Sequence, residues 1–305
     1  MIYYQKTLGA KEQEPRTAFE RSWRYLDFRE FITHLDNRKA LIAWREQFPP
    51  GAADLAASVI AQLVYRKWIS AEFIRAALGY CRSVLQDRGY LETSPLEVME
   101  FHADVNHVML VLGCQGHDVR DHRARAAYEA LKQFPTTEFK VVFSGHHPAE
   151  PGKRDLVLVN DEARALEREF NKLLNRDPSF SARHNYARNL ERQAKSTTDN
   201  IRNLLTDRFV RSGEKVRLFL VSSTFHLIRI SADVEQLVEG STEWHDRVES
   251  VVLVGAESNA VEDPIVLTAP YVKAMMYEIF ADLFKRVPMR ADRSDELGGR
   301  YQGAV

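Results

Sequence analysis

An α/β protein is expected from this 305-residue chain: a parallel sheet with helices on both faces, preceded by an all-helical N-terminal region. Three features carry that expectation. From about residue 104 onward, short apolar runs alternate with helix-length amphipathic segments, the pattern of strands joined by crossover helices. The runs are continuously apolar, as strands covered on both faces are. Before residue 100 the apolar residues recur at mixed three- and four-residue spacing, and no β-rich run interrupts them.

The helical region comprises segments 17–35, 37–47, 52–69 and 71–88. Pro49-Pro50-Gly51 separates the second from the third. Gly89 is placed to cap the fourth at its C-terminus. A first strand is expected at 107–112, ending in Gly113, followed by a helix over 120–134. A second strand is expected at 139–143, ending in Ser144-Gly145. Helices follow at 161–174 and 197–211, then a third strand at 215–221 and a helix from about 224 to 238. A fourth strand at 248–254 ends in Gly255, and a helix over 268–286 closes the fold. The expected division is therefore a helical cap or bundle over 1–100, an α/β domain over 101–287 and a fraying polar tail over 288–305.

Composition excludes several classes. Apolar residues form 45% of the chain, enough for a full core. The formal net charge is -1, from 42 basic and 43 acidic residues, so no bulk attraction to nucleic acid or an anionic membrane is expected. No run approaches the roughly 20 apolar residues needed to span a bilayer. Cys81 and Cys114 are far apart and have no metal-ligand spacing, which speaks against a disulfide framework or a zinc site. The first 16 residues lack an apolar signal core, so a cytoplasmic location is expected.

Ligands of open parallel sheets bind beyond the carboxyl ends of the strands. The four exits here read Gly113-Cys114-Gln115-Gly116-His117, Ser144-Gly145-His146-His147, Ser222-Ser223-Thr224-Phe225-His226 and Gly255-Ala256-Glu257-Ser258-Asn259. Three carry histidine, and all carry small residues that let backbone amides approach a ligand. The first exit lacks both the full dinucleotide fingerprint and a P-loop lysine. It can still offer amides and a helix N-terminus to an anion. Arg120, Arg123 and Arg125 follow it and also suit a solvated face. His226 and Arg229 share one helix face just past a strand end. The histidine can move protons near neutral pH, and the arginine can clamp a carboxylate or phosphate. Local carbonyls and solvent would satisfy the same pair. Adjacent His146 and His147 do not point readily at one ion, so no metal is expected. Cys114 has the position of a nucleophile and equally that of a buried thiol. Ser196 with Asp199 reads as a helix cap, which leaves Glu191 and Asn200 unexplained.

In this order the motifs resemble the YdcF/SanA/ElyC-like family. The matching residues are Val111-Leu112-Gly113, Arg123, Ser144-Gly145, Glu162, the run from Glu191 to Asn200, and Val221-Ser222-Ser223 with His226 and Arg229. The resemblance covers about 104–286. It implies a Rossmann-like α/β domain, with S-adenosylmethionine as the associated ligand and, for some relatives, a role in cell-envelope maintenance. The chain departs from that pattern in its long N-terminal region, in His146-His147 at a usually glycine-rich exit, and in an insertion over 148–159, and no membrane anchor is expected.

The expected function is an enzyme binding a small anionic or nucleotide-like ligand, with S-adenosylmethionine supplied by the resemblance alone. His226, Glu191 and Glu162 are the candidate catalytic residues. Gly113, Gln115, Arg123, Ser144, Gly145, His146, Thr197, Asn200, Ser222, Ser223 and Arg229 are the candidate ligand-binding residues. Glu162 and Glu191 are the expected acidic partners of the two arginines. Hydrolysis of a phosphoester or pyrophosphate and non-catalytic ligand sensing remain open alternatives.

Overall fold

The central strands of the sheet are apolar because they are sandwiched, and their side chains alternate between its two faces. Val108, Leu110, Leu112, Leu218, Leu220, Val251 and Leu253 face one layer, while Met109, Val111, Phe219, Val221, Val252 and Val254 face the other. The computed structural model describes residues 1–8, 71–94, 105–113, 117–135, 137–145, 161–180, 184, 186–194, 196–206, 209–211 and 213–257, with further positions between 271 and 282. The expected helices at 17–35, 37–47 and 52–69, and the tail at 288–305, lie outside the described residues.

Seven strands form one sheet: β1 (Ile2–Thr7), β2 (Leu91–Thr93), β3 (Asn106–Leu112), β4 (Phe139–Ser144), β5 (Tyr186–Glu191), β6 (Val216–Ser222) and β7 (Val248–Gly255). Their order is β2-β1-β7-β6-β3-β4-β5. Strands β5, β4, β3, β6 and β7 are mutually parallel. The chain runs outward from β3 through β4 to β5, then returns to lay β6 against the other side of β3. That reversal between β3 and β6 is a topological switch point, where open α/β sheets gather ligands.

The helices are α1 (Ala71–Asp87), α2 (His117–Gln133), α3 (Glu162–Arg176), α4 (Thr197–Leu204), α5 (Leu227–Val234) and α6 (Thr242–Arg247). Ala127, Leu131, Leu166 and Phe170 bring α2 and α3 onto one face of the sheet. Leu85, Ile201, Leu204, Leu227 and Ile230 bring α1, α4 and α5 onto the other. A 3₁₀ turn over Thr224–His226 leads into α5, and a π turn over Glu235–Glu239 leaves it. Gly89, at φ 81°, ends α1 as expected: its N–H bonds Gln86 O, and Tyr90 N–H bonds Leu85 O.

Three elements correct the sequence reading. The first hundred residues are not all helical, because β1 pairs antiparallel with both β7 and β2. The sheet is therefore mixed, and segments on both sides of residue 100 build it. Strand β5 was not expected: as an edge strand it exposes much of its length, so its sequence Tyr-Ala-Arg-Asn-Leu-Glu is polar. Helix α4 stops at Leu204 rather than 211. There the Thr206 hydroxyl bonds back to Asn203 O, and the chain turns so that Phe209 and Val210 reach the core.

Phe219 sits at the centre of one layer, edge-on to Phe134 and Phe139 and against the His107 ring. Phe219→Ala removes that shared contact from fully buried surroundings. Denaturant unfolding should show a loss of about 3–5 kcal/mol.

Candidate functional site

The parallel ladders align the strand exits. Leu112 is level with Ser144, and Ser144 with Glu191, while Ser222 is level with Gly255. One further backbone bond continues the register at each step: Gly113 N to Ser144 O, Gly145 N to Glu191 O and Ala256 N to Ser222 O. Gly113, Ser144, Ser222 and Gly255 thus lie along one edge, as the alternating strand and helix pattern predicts.

At the β5 end the polar groups serve one another. The buried Glu191 carboxylate accepts from Ser144 Oγ at 2.7 Å, from the amides of Gln193 and Ala194, and from Asn203 Nδ2 at 3.1 Å. Ser144 Oγ is also 2.6 Å from the side-chain amide of Asn200. The contact on Asn200 is its Oδ1, so the single hydroxyl proton of Ser144 is shared between two acceptors, Glu191 Oε2 and Asn200 Oδ1. Ser196 caps α4 through Asp199 N, as expected. The cap places Thr197 at the first helical position and Asn200 one turn on. Glu191 and Asn200 therefore join β4, β5 and α4.

Glu162 is set differently. Asp161 is the N-cap of α3, accepting from Arg164 N, and Ala163 N–H bonds Gly145 O. Glu162, the first helical residue, then lies across the β3 and β4 exits. A Cβ added at Gly113 would collide with Glu162 Oε2, and one at Gly145 would stand 2.7 Å from it. Gly145 also has φ +134°, a conformation that disfavours other residues. The two glycines are what allow a carboxylate this close to the sheet edge.

Arg123 reaches from α2 across the switch point. Its guanidinium donates to Leu112 O at 2.9 Å, to Gly113 O at 2.6 Å and, through Nε and a terminal nitrogen, to Ser223 Oγ at 3.1 and 3.0 Å. Arg229 makes a two-point pair with Glu278, at 3.0 and 2.9 Å. The expected pairing of the arginines with Glu162 and Glu191 is thereby corrected: Arg123 is bonded to carbonyls and a hydroxyl, and the carboxylate on Arg229 is Glu278. The helical stretch carrying Glu278 also carries Asp282, which pairs with Arg88 at 3.0 Å and accepts from Tyr80 at 2.7 Å. Arg88 in turn bonds Ile228 O and Ser231 Oγ, so α5 is held from two sides.

His226 lies between two hydroxyls, with Ser222 Oγ 2.9 Å from Nδ1 and Thr197 Oγ1 3.1 Å from Nε2. Desolvation, reinforced by the charges of Arg123 and Arg229, holds its pKa well below 6.5. The ring is neutral at pH 7, with one N–H and one lone pair shared between the flanking hydroxyls.

Glu257 stands in the β7 exit, two residues past Gly255, outside the residues that the sequence motifs single out. It is fully buried. Its Oε2 accepts from Thr224 N at 2.8 Å, and Thr224 Oγ1 donates to Glu257 O at 3.0 Å. Among the described residues no hydrogen-bond donor meets Oε1, an arrangement that costs about 1–3 kcal/mol for a buried polar group. Burial pushes its carboxyl pKa up, against the opposing influence of Thr224 N–H and of Arg123. A carboxylate two residues past the glycine that ends an apolar strand is the sequence signal that marks it.

Gln115 and His146 lie outside the described residues, as does Cys114. Among the described residues, no three His, Cys, Asp or Glu side chains gather as metal ligands, and no helix is long and apolar enough to cross a membrane. A surface hollow lined by Met1, Ile2, Tyr3, Glu92, Thr93 and Gln133 contains none of the strand-exit side chains described above. Comparison with protein-family models, curated proteins and solved structures gives no match to this chain.

Two outcomes follow from this geometry. Gly145→Ala forces a Cβ against Glu162 and strains the backbone, so thermal or chemical unfolding should register a loss of about 1–3 kcal/mol. For pH, His226 is held well below 6.5, and His107, desolvated and near Arg217, is held down to about 4. The unfolded chain protonates both near 6.5 while the folded chain does not, so acid favours unfolding. Each histidine should contribute a slope of about 1.4 kcal/mol per pH unit between 6.5 and its folded pKa. Glu257, with a raised pKa, acts in the opposite sense and loses stability as pH rises through its own window. Denaturation midpoints should fall as pH is lowered from 7 towards 4, and His226→Gln or His107→Gln should each flatten the fall.

Proposed function

We propose that the strand-exit edge binds a small nucleoside-like ligand bearing cationic and hydroxyl groups, S-adenosylmethionine by the family resemblance, and that the protein is a group-transfer enzyme. The observation that carries this reading is the Glu162 carboxylate lying against Gly113 and Gly145 at the switch point. In sheets that bind phosphates at this position, glycine amides and a helix N-terminus face the anion. Here a carboxylate holds that ground, and both nearby arginines are bonded to protein acceptors. The balance favours amine, sulfonium or ribose hydroxyl groups over a phosphate, and so speaks for group transfer above phosphoester hydrolysis.

The donor set fits an adenosyl ligand in its chemistry: Glu162 accepts hydroxyl or ammonium protons, and the glycines admit close approach. S-adenosylmethionine supplies an electrophilic methyl group when bound. Neutral His226 takes a proton from the attacking group of a second substrate through whichever ring nitrogen carries its lone pair, beside Ser222 or Thr197. Arg229, oriented by Glu278, keeps positive charge near the ring and the base weak.

Thermal-shift and calorimetric titrations with S-adenosylmethionine, S-adenosylhomocysteine, adenosine, adenosine monophosphate and a sugar phosphate test this. The adenosyl ligands should raise Tm in proportion to occupancy. Glu162→Gln should weaken them by about 1.5–3 kcal/mol, the value of one charged hydrogen bond. Stabilisation by the phosphates alone would reverse the assignment.

A further inference from the structure

The 3₁₀ turn that delivers His226 has an unusual cap. Its N-cap residue, Ser223, makes no side-chain capping bond, and its hydroxyl accepts two bonds from Arg123. The first amide of the turn, Thr224 N, is capped instead by Glu257 from the β7 exit. Gly255 makes this approach possible, since a Cβ there would stand 2.6 Å from Thr224 Oγ1.

Capping uses only one carboxylate oxygen. An uncharged side-chain amide would cap Thr224 N equally well through its carbonyl oxygen and would avoid burying a charge. The second oxygen of Glu257 is thus a cost that the cap does not explain. Buried unsatisfied polar groups of this kind mark functional positions. Its position is also specific: it stands at the carboxyl end of β7, beside the turn that carries His226 and within electrostatic reach of Arg123.

We propose that Glu257 is a ligand-binding residue whose Oε1 accepts a hydrogen bond from an ammonium or hydroxyl group of the bound ligand. The site then extends along the sheet edge from Glu162 at the β3 and β4 exits to Glu257 at the β7 exit, with Arg123 between them. A carboxylate at each end selects a ligand with donor groups at both of its own ends, as an amino-acid-bearing nucleoside has. The inference rests on the adenosyl-ligand reading and specifies which part of the chain holds the second donor.

Glu257→Gln is the test. The glutamine carbonyl oxygen retains the cap on Thr224 N, while its NH₂ puts a donor where the unpaired acceptor stood. In the full-length protein, the affinity for S-adenosylhomocysteine measured by calorimetry should fall at least tenfold, equivalent to about 1.4 kcal/mol. Adenosine, which has the hydroxyls without the ammonium, separates the two donors: an equal loss assigns Oε1 to a hydroxyl, and a smaller loss assigns it to the ammonium. The Tm of the ligand-free variant should stay level or rise, because the amide keeps the cap and leaves no charge to desolvate. A lowered Tm, or failure to fold, would show that the carboxylate serves the fold and would overturn the proposal. Unchanged affinity with intact wild-type binding would overturn it while leaving the adenosyl reading in place. A wild-type protein that binds neither probe would overturn both.

Discussion

The buried guanidinium of Arg123 is the constraint on which the strand-exit edge depends. A charge that cannot be neutralised at physiological pH must be hydrogen-bonded where it is buried. Here it finds Leu112 O and Gly113 O, the carbonyls left over where β3 runs out, and the Ser223 hydroxyl just past β6. One planar side chain therefore joins the two strands between which the chain reverses direction. An ammonium could not reproduce this fork. The latch also accounts for the cap at the next residue: Ser223 serves Arg123, and the amide of Thr224 turns to Glu257. The placement of His226 follows from both.

Around this latch the carboxylates fall into two kinds. Glu191 and Glu278 are spent on the protein. The first gathers two amides, Ser144 and Asn203, and the second holds Arg229. Glu162 lies over two glycines, and Glu257 has an oxygen that no donor among the described residues meets. Removing a carboxylate of the first kind exposes unpaired buried partners, and the loss appears as stability.

The described N-terminal segments extend the sheet beyond β7. Strand β1 pairs with β7 along its length, and β2 covers β1 in turn. The short strand β2 is the resulting edge, with Leu91 exposed. Helix α1 reaches the site indirectly, since Arg88 bonds the first turns of α5 and pairs with Asp282 one turn from Glu278. The region before β3 therefore braces the helix that follows His226.

What the sequence by itself determined was everything that depends on local periodicity. The four buried strands at β3, β4, β6 and β7 declared themselves, because a strand covered on both faces must be continuously apolar. Their glycine and serine exits, the cap at Ser196 and the stop at Gly89 were legible because turn and cap chemistry is local. The alignment of the exits followed from parallel pairing. The tertiary structure decided matters set by distant partners. Strand β5 is polar because it is an edge, and β1 is a strand because β7 lies beside it, which no local pattern discloses. Glu278 lies 49 residues from Arg229, and Glu257 lies 33 from Thr224. Hydrogen-bond partners at such separations are chosen by the path of the backbone. The sequence could therefore name Arg123, Glu162, Glu191 and Arg229, and only the fold could say that Glu278 holds Arg229 and that Glu257 caps Thr224.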